Sequence, residues 1–242
     1  MIERTKLTVI GPRVEPPPGL VYSTAPIRGE GENGKAYFMK GPNIEIVFAE
    51  IAGCMLAREV GLLVPDVAVC EGDGDDIYAG SEWVLGASRD IGPWLKRPKT
   101  IGNFEDLLNA VAVDVWLANT DRNIGNVLAR PRNDKKFELV FIDFEKSLTL
   151  RPFPVILSNI QPGKLWPTGD LGHEIRAKKT LVPPALILQR IGALTTGRCN
   201  EIIQQVVAAM SVPVSWAADS VHALSHRAGQ IRPLVEELWV MN

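Results

Sequence analysis

The chain has 242 residues, 46% of them hydrophobic and 22% charged, with a formal charge of −2. That length suits one large domain or two lobes with a cleft between them. The near-neutral charge excludes a global basic field for gathering nucleic acid, and no apolar run approaches a membrane span. Met1–Gly11 mixes charged with apolar residues and is expected to carry no signal peptide. Leu7–Ile10 predicts a short strand, residues 12–19 an extended connector through Pro16–Pro17–Pro18, and Leu20–Thr24 a second strand. Arg28–Lys35 then holds Gly29, Gly31 and Gly34, ahead of the strand-like Ala36–Lys40. Asn33–Gly34 is a hairpin-turn signal. The same glycines also suit a flap whose backbone N–H groups approach phosphate oxygens, and the pattern serves both.

Lys40 ends its strand. Asn43 is placed to cap a helix that Gly61 closes, with Ile46, Ile51, Cys54, Met55 and Leu56 as its buried face. Glu50 lies among Ala49, Ile51 and Ala52, where two readings stand: it faces solvent, or it is buried and needs Lys40 as partner. Val67–Cys70 and Ile77–Val84 predict strands around the acidic turn Glu71–Asp76. That turn is too short for an EF-hand loop and lacks its closing glutamate. Leu85–Ser88 reads as a linker, dividing a β-rich unit (1–86) from a helical one (87–242).

Asn103–Asn119 has the clearest helical period, through Phe104, Leu107, Leu108, Val111, Val115 and Ala118, with Asn103 as its cap. It runs into a polar loop bearing Asp121 and, five positions on, Asn126. Residues 129–136 form a basic turn. Leu139–Phe144 returns as a strand with one acid, Asp143, between large apolar residues, where an unpaired charge is costly. Asp121, Asn126 and Asp143 are expected to converge on a metal-bound phosphate. Ser147–Val182 predicts an irregular surface loop with Ser158, Thr168 and Thr180 as candidate phosphoacceptors. His173 reads as a surface residue. His222 and His226 are four apart without the acid of a metalloprotease helix. Helices are predicted at Asn200–Met210, Val214–His226 and Gln230–Val240. Cys54, Cys70 and Cys199 share no metal spacing and read as the reduced thiols of a cytoplasmic protein.

These residue types suit phosphoryl transfer, which asks a protein for alignment and charge neutralisation. Asp143 and Asn126 offer an anionic and a neutral oxygen to Mg²⁺. Lys40 suits the α- and β-phosphates, with Glu50 fixing it, and Asp121 suits the proton of an attacking hydroxyl. Their order along the chain resembles the protein-kinase-like fold. Within it, Trp116–Asn126 and Phe141–Glu145 resemble the HipA-like serine/threonine kinases and, more distantly, the phosphatidylinositol kinases. Glu50–Pro65 is similar to the same family's small lobe, and the resemblance spans residues 36–150.

The resemblance implies an α+β fold: a small β-rich N-lobe with one helix and a larger, mainly helical C-lobe. It implies ATP and Mg²⁺ as ligands, with Asp121 as catalytic aspartate and Asn126 and Asp143 as metal ligands. Gly29, Gly31, Gly34, Lys40, Glu50, Glu82, Trp83 and Val84 would surround the nucleotide. The implied acceptor is a protein Ser/Thr, the chain itself included, with no nucleic acid or membrane partner. Two departures stand out. Phe144–Glu145 replaces the Phe-Gly of eukaryotic protein kinases. Asn123 occupies the place of the family's loop histidine; counted here with the catalytic residues, it cannot become a cation or shuttle a proton. Asn123 therefore keeps open a nucleotide-binding pseudokinase that acts through partners. A small-molecule phosphotransferase similar to aminoglycoside kinases is also open, although Asn119–Thr120–Asp121 replaces that group's His-Gly-Asp. The N-terminal extension of the HipA toxins has no counterpart, so a stand-alone kinase core is expected.

Overall fold

The computed structural model describes residues 2–14, 26–148, 165–178 and 183–241. Five strands come first: β1 (Glu3–Arg13), β2 (Ile27–Gly31), β3 (Ala36–Lys40), β4 (Val67–Glu71) and β5 (Ile77–Glu82). They close into a barrel in the order β1-β2-β3-β5-β4. Closure depends on one parallel pair, β1 with β4, in register from Glu3↔Ala68 to Lys6↔Glu71. Parallel neighbours need a crossover, and helix α1 (Ile44–Glu59) lies within it. The strand period of two puts Tyr37 and Met39 inside the barrel with Ala68, Cys70 and Tyr78. Phe38 and Lys40 therefore share the other face of β3.

Several expectations shift here. The predicted strand at 7–10 extends to Glu3–Arg13, while the candidate at 20–24 lies outside the described residues. Gly29 and Gly31, expected in a turn, are strand residues of β2. Their missing side chains make room: a Cβ at Gly29 would lie 2.6 Å from the Met39 side chain, and one at Gly31 2.6 Å from Thr5 Oγ1. The turn itself is short and does use Asn33–Gly34. Gly34 has φ 76°, and Asn33 Nδ2 donates to Tyr37 Oη at 2.7 Å.

Asn43 caps α1 as expected; its Oδ1 accepts from Glu45 N at 2.9 Å and Ile46 N at 3.3 Å. Gly61, at φ 99°, takes the chain out of the helix. The predicted one-sided apolar face is not what forms. Residues 47–54, Leu56 and Ala57 are all buried, because α1 packs on β3, β4 and β5 on one side and on a later helix on the other. A helix apolar all round belongs between two layers. The acidic stretch Glu71–Asp76 is the β4–β5 turn, with Gly72 N donating to Asp76 O at 2.9 Å.

The C-terminal part begins with α2 (Gly92–Leu95) and α3 (Asp106–Leu117), followed by the hairpin β6 (Val127–Pro131) and β7 (Phe137–Phe141). Asn103 does not cap α3, which starts three residues later. Its amide instead donates to Leu139 O at 3.0 Å and accepts from Leu139 N at 2.7 Å, tying the helix entrance to β7. Helices α4 (Gly169–Lys178), α5 (Ala185–Ala193), α6 (Thr196–Met210) and α7 (Ser215–Met241) complete the fold. Thus the stretch read as irregular contains a helix at 169–178. The two helices expected at the C-terminus are one, continuous through Pro233. A single apolar core joins α1, α3, the hairpin and α5–α7. Among the described residues no helix is long and apolar enough to cross a membrane. His173, His222 and His226 are exposed.

Candidate active site

Lys40, Glu50, Asn126 and Asp143 line one pocket between the barrel and the β6–β7 hairpin. Its apolar walls are Pro26, Phe38, Pro65 and Val84 on one side and Leu128 and Ile142 on the other. Lys40 reaches it from the end of β3. Its ammonium lies 3.7 Å from Glu50 Oε2 and 3.2 Å from Glu145 Oε2, and it also pairs with Asp143 Oδ1. Burial favours the neutral amine, yet the three carboxylates outweigh it and hold the Lys40 pKa above the ordinary lysine value.

Glu50 is 1% exposed, so the solvent-facing reading of this residue does not hold. Besides Lys40 it accepts from Phe144 N at 2.7 Å and Ser81 Oγ at 3.4 Å. Burial pushes its carboxyl above the ordinary range despite Lys40. The contact needs α1 close to Phe144, and Gly53, one turn beyond Glu50, allows that approach. A Cβ there would sit 2.5 Å from Phe144 Cβ. Gly53→Ala gains about 1 kcal/mol of helix propensity but overpacks a core contact at about 1–3 kcal/mol. The clash should win, because the Phe144 N–H is tied to Glu50 and its Cβ has little room to retreat. We expect Gly53→Ala to lower stability in urea titrations; a stabilised variant would show that α1 can withdraw freely.

The loop after α3 is built around a buried ion pair. Asp114, on α3, is 0% exposed and Arg122 2%. Arg122 Nε donates to Asp114 Oδ2 at 2.8 Å and Nη2 to Oδ1 at 3.0 Å, while Asn119 Nδ2 donates to Oδ1 at 2.8 Å. The backbone of Asp121 is held in turn: its carbonyl accepts from Asn126 Nδ2 at 2.6 Å and Asn123 Nδ2 at 3.0 Å. Asn123 Oδ1 accepts from Gly125 N at 2.9 Å. Both ends of the Asn123 amide therefore shape the loop. With Asn126 Nδ2 committed to Asp121, its Oδ1 is the atom left for a ligand. The Asp121 carboxyl is half-buried, and burial, then Asp143, raises its pKa.

Asp143 does not sit within a strand, as expected, but two residues past the end of β7, at φ 67°. A non-glycine residue in the left-handed region costs roughly 1–2 kcal/mol, and such backbone persists where the surroundings demand it, commonly at functional sites. Its side chain is 19% exposed at the pocket. The pocket's charges do not balance: Lys40 meets Glu50, Glu145 and Asp143, and Asp121 lies close enough to Asp143 to feel it. Arg89 lines the pocket too; burial pulls its pKa down while Asp143 pulls it up. Surplus negative charge with an oriented amide oxygen fits a hard divalent cation. Among the described residues no group of three or more His, Cys, Asp or Glu forms a metal cage, so a cation there would complete its shell with phosphate and water oxygens.

The other expected site residues fall as follows. Glu82 and Val84 line the pocket, whereas Trp83 stacks on Phe38, ring centroids 4.4 Å apart, and backs that wall. Gly29, Gly31 and Gly34 do not line it. Register explains why: Ile27↔Met39 lies at the Lys40 end of β3, and Glu30↔Ala36 at the opposite end. At about 3.3 Å per residue, the glycine turn is roughly 13 Å from Lys40 along the strand. At the Lys40 end it is Pro26, just before β2, that lines the pocket; residues 15–25 are outside the described set. Glu145, Arg89, Asp114 and Arg122 were not predicted. Only Glu145 had a signal, as the acid that follows Phe144 where eukaryotic protein kinases have glycine. Of the candidate acceptors, Ser158 and Thr180 lie outside the described residues. Thr168 is exposed, and its N–H donates to Arg122 O at 2.9 Å.

Neither a protein-family model nor the sequence of a characterised protein matches this chain. Solved structures do. The Helicobacter pylori proinflammatory kinase CtkA superposes with TM-score 0.59 at 15% identity, covering 99% of each chain. The Golgi casein kinase gives 0.55 at 10% identity over 98% of this chain and 74% of that one. The same kinase with Mn/ADP bound gives 0.53 at 10% identity over the same shares. The fold is therefore kinase-like: a β-rich N-terminal part followed by a helical C-terminal part.

Proposed function

We propose that this chain is an ATP- and Mg²⁺-dependent phosphotransferase, HipA-like in its catalytic loop. We take residues 1–86 and 87–242 as its two lobes and a serine or threonine hydroxyl of a protein, the chain's own included, as acceptor. One observation carries the reading. A lysine held by a buried helix glutamate pairs with an aspartate, beside an oriented asparagine, in the lining of one pocket, in a fold shared with kinases. A solved neighbour of this fold holds Mn/ADP, which supports nucleotide and divalent metal here.

In this reading the apolar walls hold the base of ATP, and Lys40, steadied by Glu50 and Glu145, binds the phosphates. Asn126 and Asp143 would hold the metal. Bound there, it would supply charge neutralisation and hold the β- and γ-phosphates for in-line attack. The Asp121 carboxylate accepts the proton of the attacking hydroxyl, and the new O–P bond forms as the bond to the β,γ-bridging oxygen breaks. The Asn123 amide is occupied within the loop. Its departure from histidine thus serves loop shape, which favours a working enzyme over a pseudokinase. A cytoplasmic setting goes with three buried, free cysteines.

Melting curves with and without ATP and Mg²⁺, followed by incubation with labelled ATP alone and in lysate, test the reading. We expect ATP to raise the melting temperature and Mg²⁺ to raise it further in the presence of ATP, with label on protein. A well-folded chain that shows no Mg²⁺-dependent shift would refute it.

A further inference from the structure

Arg122 follows Asp121 directly, and its side chain does more than neutralise Asp114. Two donors, Nε and Nη2, occupy both Asp114 oxygens. The remaining arm, Nη1, reaches Asn126 O at 2.9 Å and Ile142 O at 2.6 Å. Asn126 carries one proposed metal ligand, and Ile142 is the residue before the other, Asp143. One buried guanidinium thus joins the loop and the post-strand segment that present the two ligands. Its plane also lies over the Phe144 ring, 4.8 Å from the centroid, on the far side of Asp143 in sequence. We infer that Arg122, aimed by Asp114, is a positioning residue that sets the separation of Asn126 and Asp143 and so tunes the affinity of the divalent metal. The inference rests on reading those two as metal ligands.

Two physical points separate this from a stabilising ion pair. A buried salt bridge is often replaceable by apolar residues without loss of stability, so stability alone is a weak reason for this one. And the geometry uses what only arginine has, a rigid fork that serves a carboxylate with one edge and backbone carbonyls with another. A lysine would keep the charge beside Asp114 but could not serve all four acceptors. Ile142 N donates to Asn126 O at 3.1 Å, next to the Val127↔Phe141 pair of the hairpin, so the two segments stay joined when Arg122 is lost but without the guanidinium that clamps their ligand-bearing ends.

The test compares Arg122→Lys and the apolar pair Asp114→Leu/Arg122→Met with wild type. Three readouts are taken: Mn²⁺–ADP binding by electron paramagnetic resonance, ADP binding with chelator present, and hydrogen exchange of the metal-free protein. Both variants should bind Mn²⁺–ADP roughly 10–100-fold more weakly, the range seen when groups that orient metal ligands are removed. Metal-free ADP binding should stay within about twofold, and the Asn126 and Ile142 amides should exchange faster. The apolar pair guards against Arg122→Lys failing through an unpaired Asp114. A folded variant that binds Mn²⁺–ADP like wild type, with unchanged exchange, overturns the inference. If wild type itself binds no Mn²⁺–ADP, the phosphotransferase reading falls, while exchange at the two amides still decides whether Arg122 joins the segments.

Discussion

Asp121→Asn should bind nucleotide and metal as wild type does and transfer phosphate about 10²–10⁴-fold more slowly, the usual contribution of a positioned acid or base. The substitution is nearly isosteric. What Asn123 and Asn126 hold is the Asp121 backbone carbonyl, not its carboxylate, so the loop should keep its shape. The pH dependence gives an independent check. As the proposed proton acceptor Asp121 would work as a carboxylate, and burial together with Asp143 raises its pKa from the ordinary 3.8. The protonated, inactive form therefore persists to higher pH than for an ordinary aspartate, and the acid limb of kcat/KM should lie above that value. The limb belongs in kcat/KM because that ratio reports the free enzyme, before a cation on Asp143 cancels its repulsion. A variant that transfers at the wild-type rate would remove Asp121 from the chemistry.

Asp143→Asn should abolish the Mg²⁺-dependent part of nucleotide binding. At a hundred times the dissociation constant a ligand stabilises the native state by about 2.7 kcal/mol. In a chain of this size that is roughly 5–11 °C in melting temperature; the variant should lose it. The fold should survive, because Lys40 keeps Glu50 and Glu145 and the pocket sheds part of its surplus negative charge. Asparagine also tolerates the left-handed backbone that position 143 requires, at φ 67°. The check is a pair of melting curves with ATP, with and without Mg²⁺. A variant that kept the shift would place the metal elsewhere.

How much of this was legible in the residues depended on distance along the chain. The cap at Asn43, the exit at Gly61, the Asn33–Gly34 turn and the loop between Asp121 and Asn126 all act within a few positions. Their chemistry is complete in a short window, and each was read in place. Glu50 marks the boundary. Its apolar neighbours raised the question of burial, but the answer lay in Phe144, 94 positions away. Asn103 shows the same limit from the other side: a good local cap was outbid by the Leu139 backbone.

The glycine turn is the clearest case. Gly29, Gly31, Gly34 and Lys40 are close in sequence, which made a phosphate flap look natural. Strand register sends that turn away from Lys40, and register is a property of pairing, visible only once β2 and β3 are laid side by side. Asp114 and Arg122 are different again. In sequence they are an acid in a helix and a base in a loop, residue types that are mostly solvated. The chain alone determined which residues could do phosphoryl chemistry and in what order they come, because donor and charge types are carried by side chains. Folding decided which carboxylates share Lys40, that Glu145 is one of them, that Asn123 shapes the loop, and that one arginine joins the segments carrying Asn126 and Asp143. Those outcomes depend on charges that are affordable when buried only beside partners far away in the chain.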